Sequence, residues 1–252
     1  MTAETVRLKS PPIVEAVVDI DCDLPPSLDL AALEPVATDR LKDGYPLARK
    51  QYLQQMQFEA KGEEPPKFST KQGLQGLQFF SADEKQLVQI RAQGYSLNRL
   101  APYSGFDDYL PEIERTWRIF VDLTKPVVVR QLRLRYINRI LLPLVDGRVE
   151  LDDYLNGIPS LPDESNLGFS GFFIQQSAFE LGTDNHVNIS IATQPPADQV
   201  LPVILDIDAY YACSLDSGAW GAIAERLISL RGLKNSVFRH SLTEKCLSLF
   251  QH

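Results

Sequence analysis

The chain has 252 residues, of which 44% are hydrophobic and 23% charged, and a formal net charge of −8. This composition supplies a sizeable core and excludes general disorder, and the length fits one large domain or two small ones. The acidic balance excludes a broad, non-specific nucleic-acid binder but leaves room for a local basic patch.

Taken in chain order, residues 12–20 are β-branched, follow Pro11-Pro12 and predict a strand. Leu30, Leu33, Ala37 and Leu41 recur at helical spacing, with Asp29 placed to cap them. Tyr52, Met56 and Phe58 fall on one face of a strand over 52–60, and the charged, proline-bearing 61–67 reads as a loop. Residues 74–80, 86–92 and 94–100 predict an antiparallel meander. An amphipathic helix over Phe106 to Leu123 carries an apolar stripe through Tyr109, Ile113, Trp117 and Phe120, with acidic residues at its dipole-favoured start. Pro111 requires that this helix begin nearby or kink. After Lys125-Pro126, residues 127–142 form a long β-branched strand.

Residues 146–165 read as a turn-rich connection between two halves. Strands follow at 168–181, 186–194 and 201–213, with Asp184-Asn185 as the hairpin turn between the first two. A closing helix carries Trp220, Ile223, Ala224, Leu227 and Ile228 and is interrupted at Gly232. Ser241 to Glu244 matches a capping box before a last short helix. The expected fold is α+β, mainly antiparallel sheet backed by long amphipathic helices. Two pseudo-duplicated lobes, 1–145 and 146–252, share one compact unit, and VVDID (17–21) echoes ILDID (204–208).

The most distinctive feature is the arginine strand. Alternation places Gln131, Arg133, Arg135, Ile137 and Arg139 on one face, and Leu132, Leu134, Tyr136, Asn138 and Ile140 on the other, with Arg130 on that second side. Same-face residues are about 6.6 Å apart, so the arginines form a linear track matched to carboxylates or phosphates. An ion-pair ladder with carboxylates of neighbouring strands is the plainer reading. Asp206 and Asp208 share a strand face, as do Asp19 and Asp21. Each pair could hold a divalent cation or serve as those carboxylates, although no third ligand is evident.

No catalytic constellation stands out. His186, His240 and His252 lack motif-level partners, no nucleophile elbow is present, and the glycines of 73–78 and 168–173 do not form a phosphate-binding loop. Phe169, Phe172, Phe173 and Phe179 are expected to pack one sheet face. Cys22, Cys213 and Cys246 are odd in number and scattered, which fits a reducing compartment and neither a disulfide framework nor a zinc site. The N-terminus lacks an apolar signal segment, and no apolar run is long enough to span a bilayer. The expected location is cytoplasmic, with no membrane partner and no cofactor.

Two blocks, Pro12-Ile-Val-Glu-Ala16 and Arg135-Tyr-Ile-Asn-Arg-Ile140, with support from LDID (205–208), Phe238 and Leu242-Thr243, resemble a sporadically distributed family of prokaryotic proteins of similar length. The resemblance covers nearly the whole chain and implies little chemistry. The patchy distribution implies an accessory role of the kind found in defence and toxin–antitoxin loci. Glu15, Arg135, Tyr136, Asn138 and Arg139 are the polar residues within the matching blocks. The resulting expectation is a non-catalytic binding protein that holds a protein partner, a nucleotide or RNA through Arg133, Arg135, Arg139, Tyr136, Asn138 and Glu15. The alternatives are a metal-dependent phosphotransfer or phosphodiester enzyme using Asp206 and Asp208, and a homodimeric scaffold.

Overall fold

A computed structural model describes residues 8–59, 67–158 and 170–251, with only the backbone for 54–59 and 67–72. One nine-stranded sheet runs through it. The strands are β1 (Ile13–Asp23), β2 (Leu47–Glu59), β3 (Lys67–Phe80), β4 (Gln86–Arg91), β5 (Gly94–Leu100), β6 (Val128–Pro143), β7 (Phe173–Phe179), β8 (His186–Thr193) and β9 (Val200–Leu215). Their order is β2-β3-β4-β5-β1-β6-β9-β8-β7 and every pairing is antiparallel. The α+β expectation holds, and strands from both halves of the chain join the same sheet.

The helices are α1 (Leu30–Leu41), α2 (Phe106–Thr124), α3 (Trp220–Ser241) and α4 (Glu244–Ser248). Asp29 caps α1 as its position predicts, accepting from the Ala31 amide at 2.9 Å. α2 starts five residues before Pro111 and ends at Lys125, whose left-handed φ of 49° turns the chain into Pro126. Its apolar stripe packs on the sheet: Trp117 lies 5.2 Å from Phe120 and edge-on to Tyr95 at 5.6 Å, and the Tyr109 hydroxyl donates to the Leu97 carbonyl. α3 lies over β6 and β9. α1, α2 and α3 therefore share one face of the sheet, and a single apolar core fills the space between.

Four expectations need correction. Gly232 does not interrupt α3, because burial of Leu230 and Leu233 on either side of it outweighs a glycine penalty of about 1 kcal/mol. Ser241 is the last residue of α3 and not a cap; Thr243 caps α4 through the Cys246 amide at 3.2 Å. Phe173 and Phe179 do not pack a face: they are 67% and 64% exposed on the outer strand. Arg130 leaves the buried side assigned to it, because an irregularity between Val129 and Gln131 breaks the alternation. It is exposed and paired with Asp23. Phe169 and the loop 61–66 lie outside the described residues.

Candidate functional site

The period of two along β6 settles its faces. Leu132, Leu134, Tyr136, Asn138, Ile140 and Leu142 point under the helices and are almost fully buried, while Arg133, Arg135, Ile137, Arg139 and Leu141 are partly or wholly exposed on the opposite face. The six binding candidates are therefore split. Arg133, Arg135, Arg139 and Glu15 share the face opposite the described helices, helix-free among the described residues, and Tyr136 and Asn138 lie beneath the helices.

The buried pair is structural in its contacts. The Asn138 amide donates to the Leu205 carbonyl at 3.0 Å, tying β6 to β9. The Tyr136 hydroxyl meets that of Tyr103 at 2.6 Å, and burial holds the phenol well above its ordinary pKa.

On the helix-free face, acidic strands flank the arginine strand. β1 places Asp19 opposite Arg133, and β9 places Asp208 opposite Arg135 and Asp206 opposite Ile137. The two segments that echo each other, 17–21 and 204–208, are thus the two neighbours of β6. Arg135 donates to both carboxylate oxygens of Asp206, at 2.9 Å from Nε and 2.6 Å from the guanidinium terminus. Those bonds push the Arg135 pKa further up. Arg133 Nε approaches Asp208 at 3.4 Å without a hydrogen bond, which leaves both atoms buried and unbonded. Burial raises the Asp208 pKa above the usual carboxylate range, against the lowering pull of Arg133 and Arg135. Asp19 and Asp21 pair with Arg91 of β4 instead, and Glu15 accepts from Asn98 at 2.8 Å.

Arg139 differs from the rest. Among the described residues its exposed guanidinium has no hydrogen-bond or ion-pair partner. Its cross-strand row runs Arg139, Ile204, Ala192, Phe173, and its same-strand neighbours on this face are Ile137 and Leu141. A lone cation therefore stands in an exposed apolar patch. The next row but two holds an aromatic series that sequence reasoning missed: His186 stacks on Tyr210 at 5.3 Å, with Phe179 on one side and Arg133 over the Tyr210 ring at 5.7 Å on the other. Only pairing register brings these residues together, and their separation along the chain hides it.

The carboxylates of Asp206 and Asp208 face the arginines on the same side. Among the described residues no group of three or more His, Cys, Asp or Glu side chains could hold a metal. No family model matches the chain, and no curated protein is significantly similar to it. Among the described residues no helix is long and apolar enough to cross a membrane.

The Arg135–Asp206 pair is 44% exposed on the arginine side, so solvent screens it. Arg135→Ala is expected to cost about 1 kcal/mol in urea denaturation, leaving a folded protein fit for binding assays. A loss large enough to unfold the chain contradicts this surface assignment.

Proposed function

We propose that the protein is a non-catalytic binding protein whose helix-free sheet face receives a protein partner. The carrying observation is Arg139, an exposed guanidinium that is unpaired among the described residues and set among Ile137, Leu141 and Ile204. A segment with apolar side chains and one carboxylate matches that patch, because a charge-assisted bond to a planar guanidinium specifies position while the apolar groups supply burial. Five carboxylates, Glu15, Asp19, Asp21, Asp206 and Asp208, surround the arginine strand and oppose a polyphosphate backbone, which favours protein over RNA or nucleotide. Engagement of Asp206 and Asp208 by arginines speaks in the same way against a metal-dependent phosphotransfer role.

Membership of the sporadic prokaryotic family, with an antitoxin-like, immunity or sensor role in the cytoplasm, belongs to this reading and rests on the two sequence blocks. The pseudo-duplicated arrangement of lobes 1–145 and 146–252 also belongs to this reading and rests on the echo of VVDID (17–21) in ILDID (204–208), carried by β1 and β9, the two neighbours of β6.

The test is affinity capture from the native host with tagged wild type, Arg139→Glu and a control, Arg118→Glu, which changes an exposed pair on α2. A protein retained by wild type and the control but depleted roughly tenfold or more by Arg139→Glu is the expected result, matching the ~1.5–3 kcal/mol of a charge-assisted bond. A partner held equally by all three, or enrichment of RNA lost with Arg139→Glu, overturns the reading.

A further inference from the structure

We infer that β7 is a self-pairing edge, through which two copies of this chain join their sheets about a two-fold axis at Gln176. Among the described residues β7 is the outer strand on the β9 side. An open edge strand presents unpaired amides and carbonyls, and proteins usually blunt such edges with charge, proline or a bulge. The opposite edge follows that rule, since β2 carries exposed Arg49 and Lys50 paired to Glu84 and Glu34. β7, Phe-Ile-Gln-Gln-Ser-Ala-Phe, has no charge and no proline, and six of its seven residues are exposed.

The side-chain order commits the occupant to a second copy. Read from Gln176 outward in both directions, β7 presents Gln and Ser, then Ile and Ala, then Phe and Phe. An antiparallel copy centred on Gln176 therefore sets Phe173 against Phe179 and Gln175 against Ser177, each pair occurring twice.

The backbone agrees with this register. Glu180 donates to Asn185, and Phe172 accepts from Thr193, so the even-numbered residues of β7 bond to β8. By the alternation of antiparallel ladders the odd-numbered residues then turn their amides and carbonyls outward. Centring on Gln176 pairs odd with odd along the whole strand, so each outward group meets a partner. The helix-free faces of both copies then lie on the same side as one surface. Beneath it, a groove of about 320 Å³ with Ile174, Ile189 and Ile191 in its walls opens beside β7, and the second copy adds cover to that apolar edge.

The test measures mass by light scattering and cross-linking by intact mass. Wild type is expected at twice the chain mass of 28.3 kDa. Gln176→Cys is expected to form a disulfide-linked dimer on mild oxidation, because a residue on the axis faces its own copy at about 4.5 Å between Cα atoms. Ile174→Cys, about 13 Å from its copy in this register, is expected not to link. The double variant Gln175→Lys, Ser177→Lys sets like charges opposite and is expected to be monomeric with unchanged circular dichroism. Mixing it with Gln175→Glu, Ser177→Glu restores a mixed dimer. A wild-type monomer at every concentration, a dimer indifferent to the lysines, or linkage at 174 in place of 176 overturns the assignment. These variants leave Arg139 unchanged, so failure here is distinguishable from failure of the partner-binding reading.

Discussion

Gly94→Ala is expected to lower stability by about 4 kcal/mol or more, combining backbone strain with an overpacked contact that cannot relax. Gly94 follows the two-residue turn between β4 and β5 and has φ +143°, a region that side-chain-bearing residues rarely adopt. It also pairs with Asp21, and a Cβ added there would lie 2.2 Å from the Ile20 carbonyl oxygen and 2.9 Å from the Asp21 Cα. Both are backbone atoms of β1, so no side-chain rotation relieves the overlap. β1 must move away from β5 at the centre of the sheet, and the Cys22 amide then loses the Gln93 carbonyl. Gly147 provides the control. Its φ is +74° but nothing lies within 4 Å of an added Cβ, so Gly147→Ala should cost only the conformational term of about 1 kcal/mol. Urea denaturation of both variants separates the causes: equal losses would show that the approach of β1 to Gly94 is not what demands glycine there.

Much of the architecture is legible in the sequence because local chemistry and tertiary context agree. The β-branched run of β6, the Asp29 cap and the Trp117 stripe each name their element, and the meander β3-β4-β5 follows from short apolar runs with polar spacers. The misses occur where tertiary packing overrules a local signal. Gly232 costs too little to end a helix whose neighbours are buried, and the bulge at Val129 exposes Arg130 against the alternation. Alternation sorts β6 into two faces but carries no information on which one the helices cover. The resemblance of the 135–140 block, and not alternation, groups Tyr136 and Asn138 with the arginines as candidates, although they lie on the far side of the sheet. Sheet order is likewise absent from the chain's linear pattern. It decides that Asp206 and Asp208 meet Arg135 and Arg133 while Asp19 and Asp21 meet Arg91, and so leaves Arg139 without a partner among the described residues.

Lys234 is the clearest residue the sequence could have revealed and did not. It lies seven positions after Leu227 and four after Leu230, in register with the buried stripe of α3. A lysine at such a position must lose most of its hydration. In the structure it is 8% exposed, among the described residues no carboxylate pairs with it, and its ammonium sits 3.9 Å from the Tyr136 ring centroid. The charged and titratable groups around it are Arg231 on its own helix, the Tyr136 and Tyr103 phenols, and Asp107, which is already bound to Arg231. Burial, aided by Arg231, brings the Lys234 pKa from 10.5 down to about 7. That difference corresponds to about 5 kcal/mol, and the ring face offsets about 1–2 kcal/mol of it by cation–π attraction.

Lys234→Met keeps the volume and contact with the ring and is expected to stabilise the fold by about 3 kcal/mol below pH 7, where the buried charge is fully present. The sign with pH follows from proton counts. Between pH 7 and 10.5 the unfolded lysine holds its proton while the folded one has released it, so wild-type stability rises through this window. The advantage of Lys234→Met must shrink over the same window and approach zero by about pH 10.5. Buried Cys22 and Cys246, with thiols pushed up to about 12, act in the opposite sense. They stay protonated in the fold above the pH at which the unfolded thiols ionise, so they lower stability as pH rises, equally in both proteins. The difference between wild type and variant therefore isolates Lys234. Urea denaturation at pH 6, 8.5 and 10 reads it directly, and an advantage that does not fall across these three values would show that Lys234 keeps its proton inside the fold.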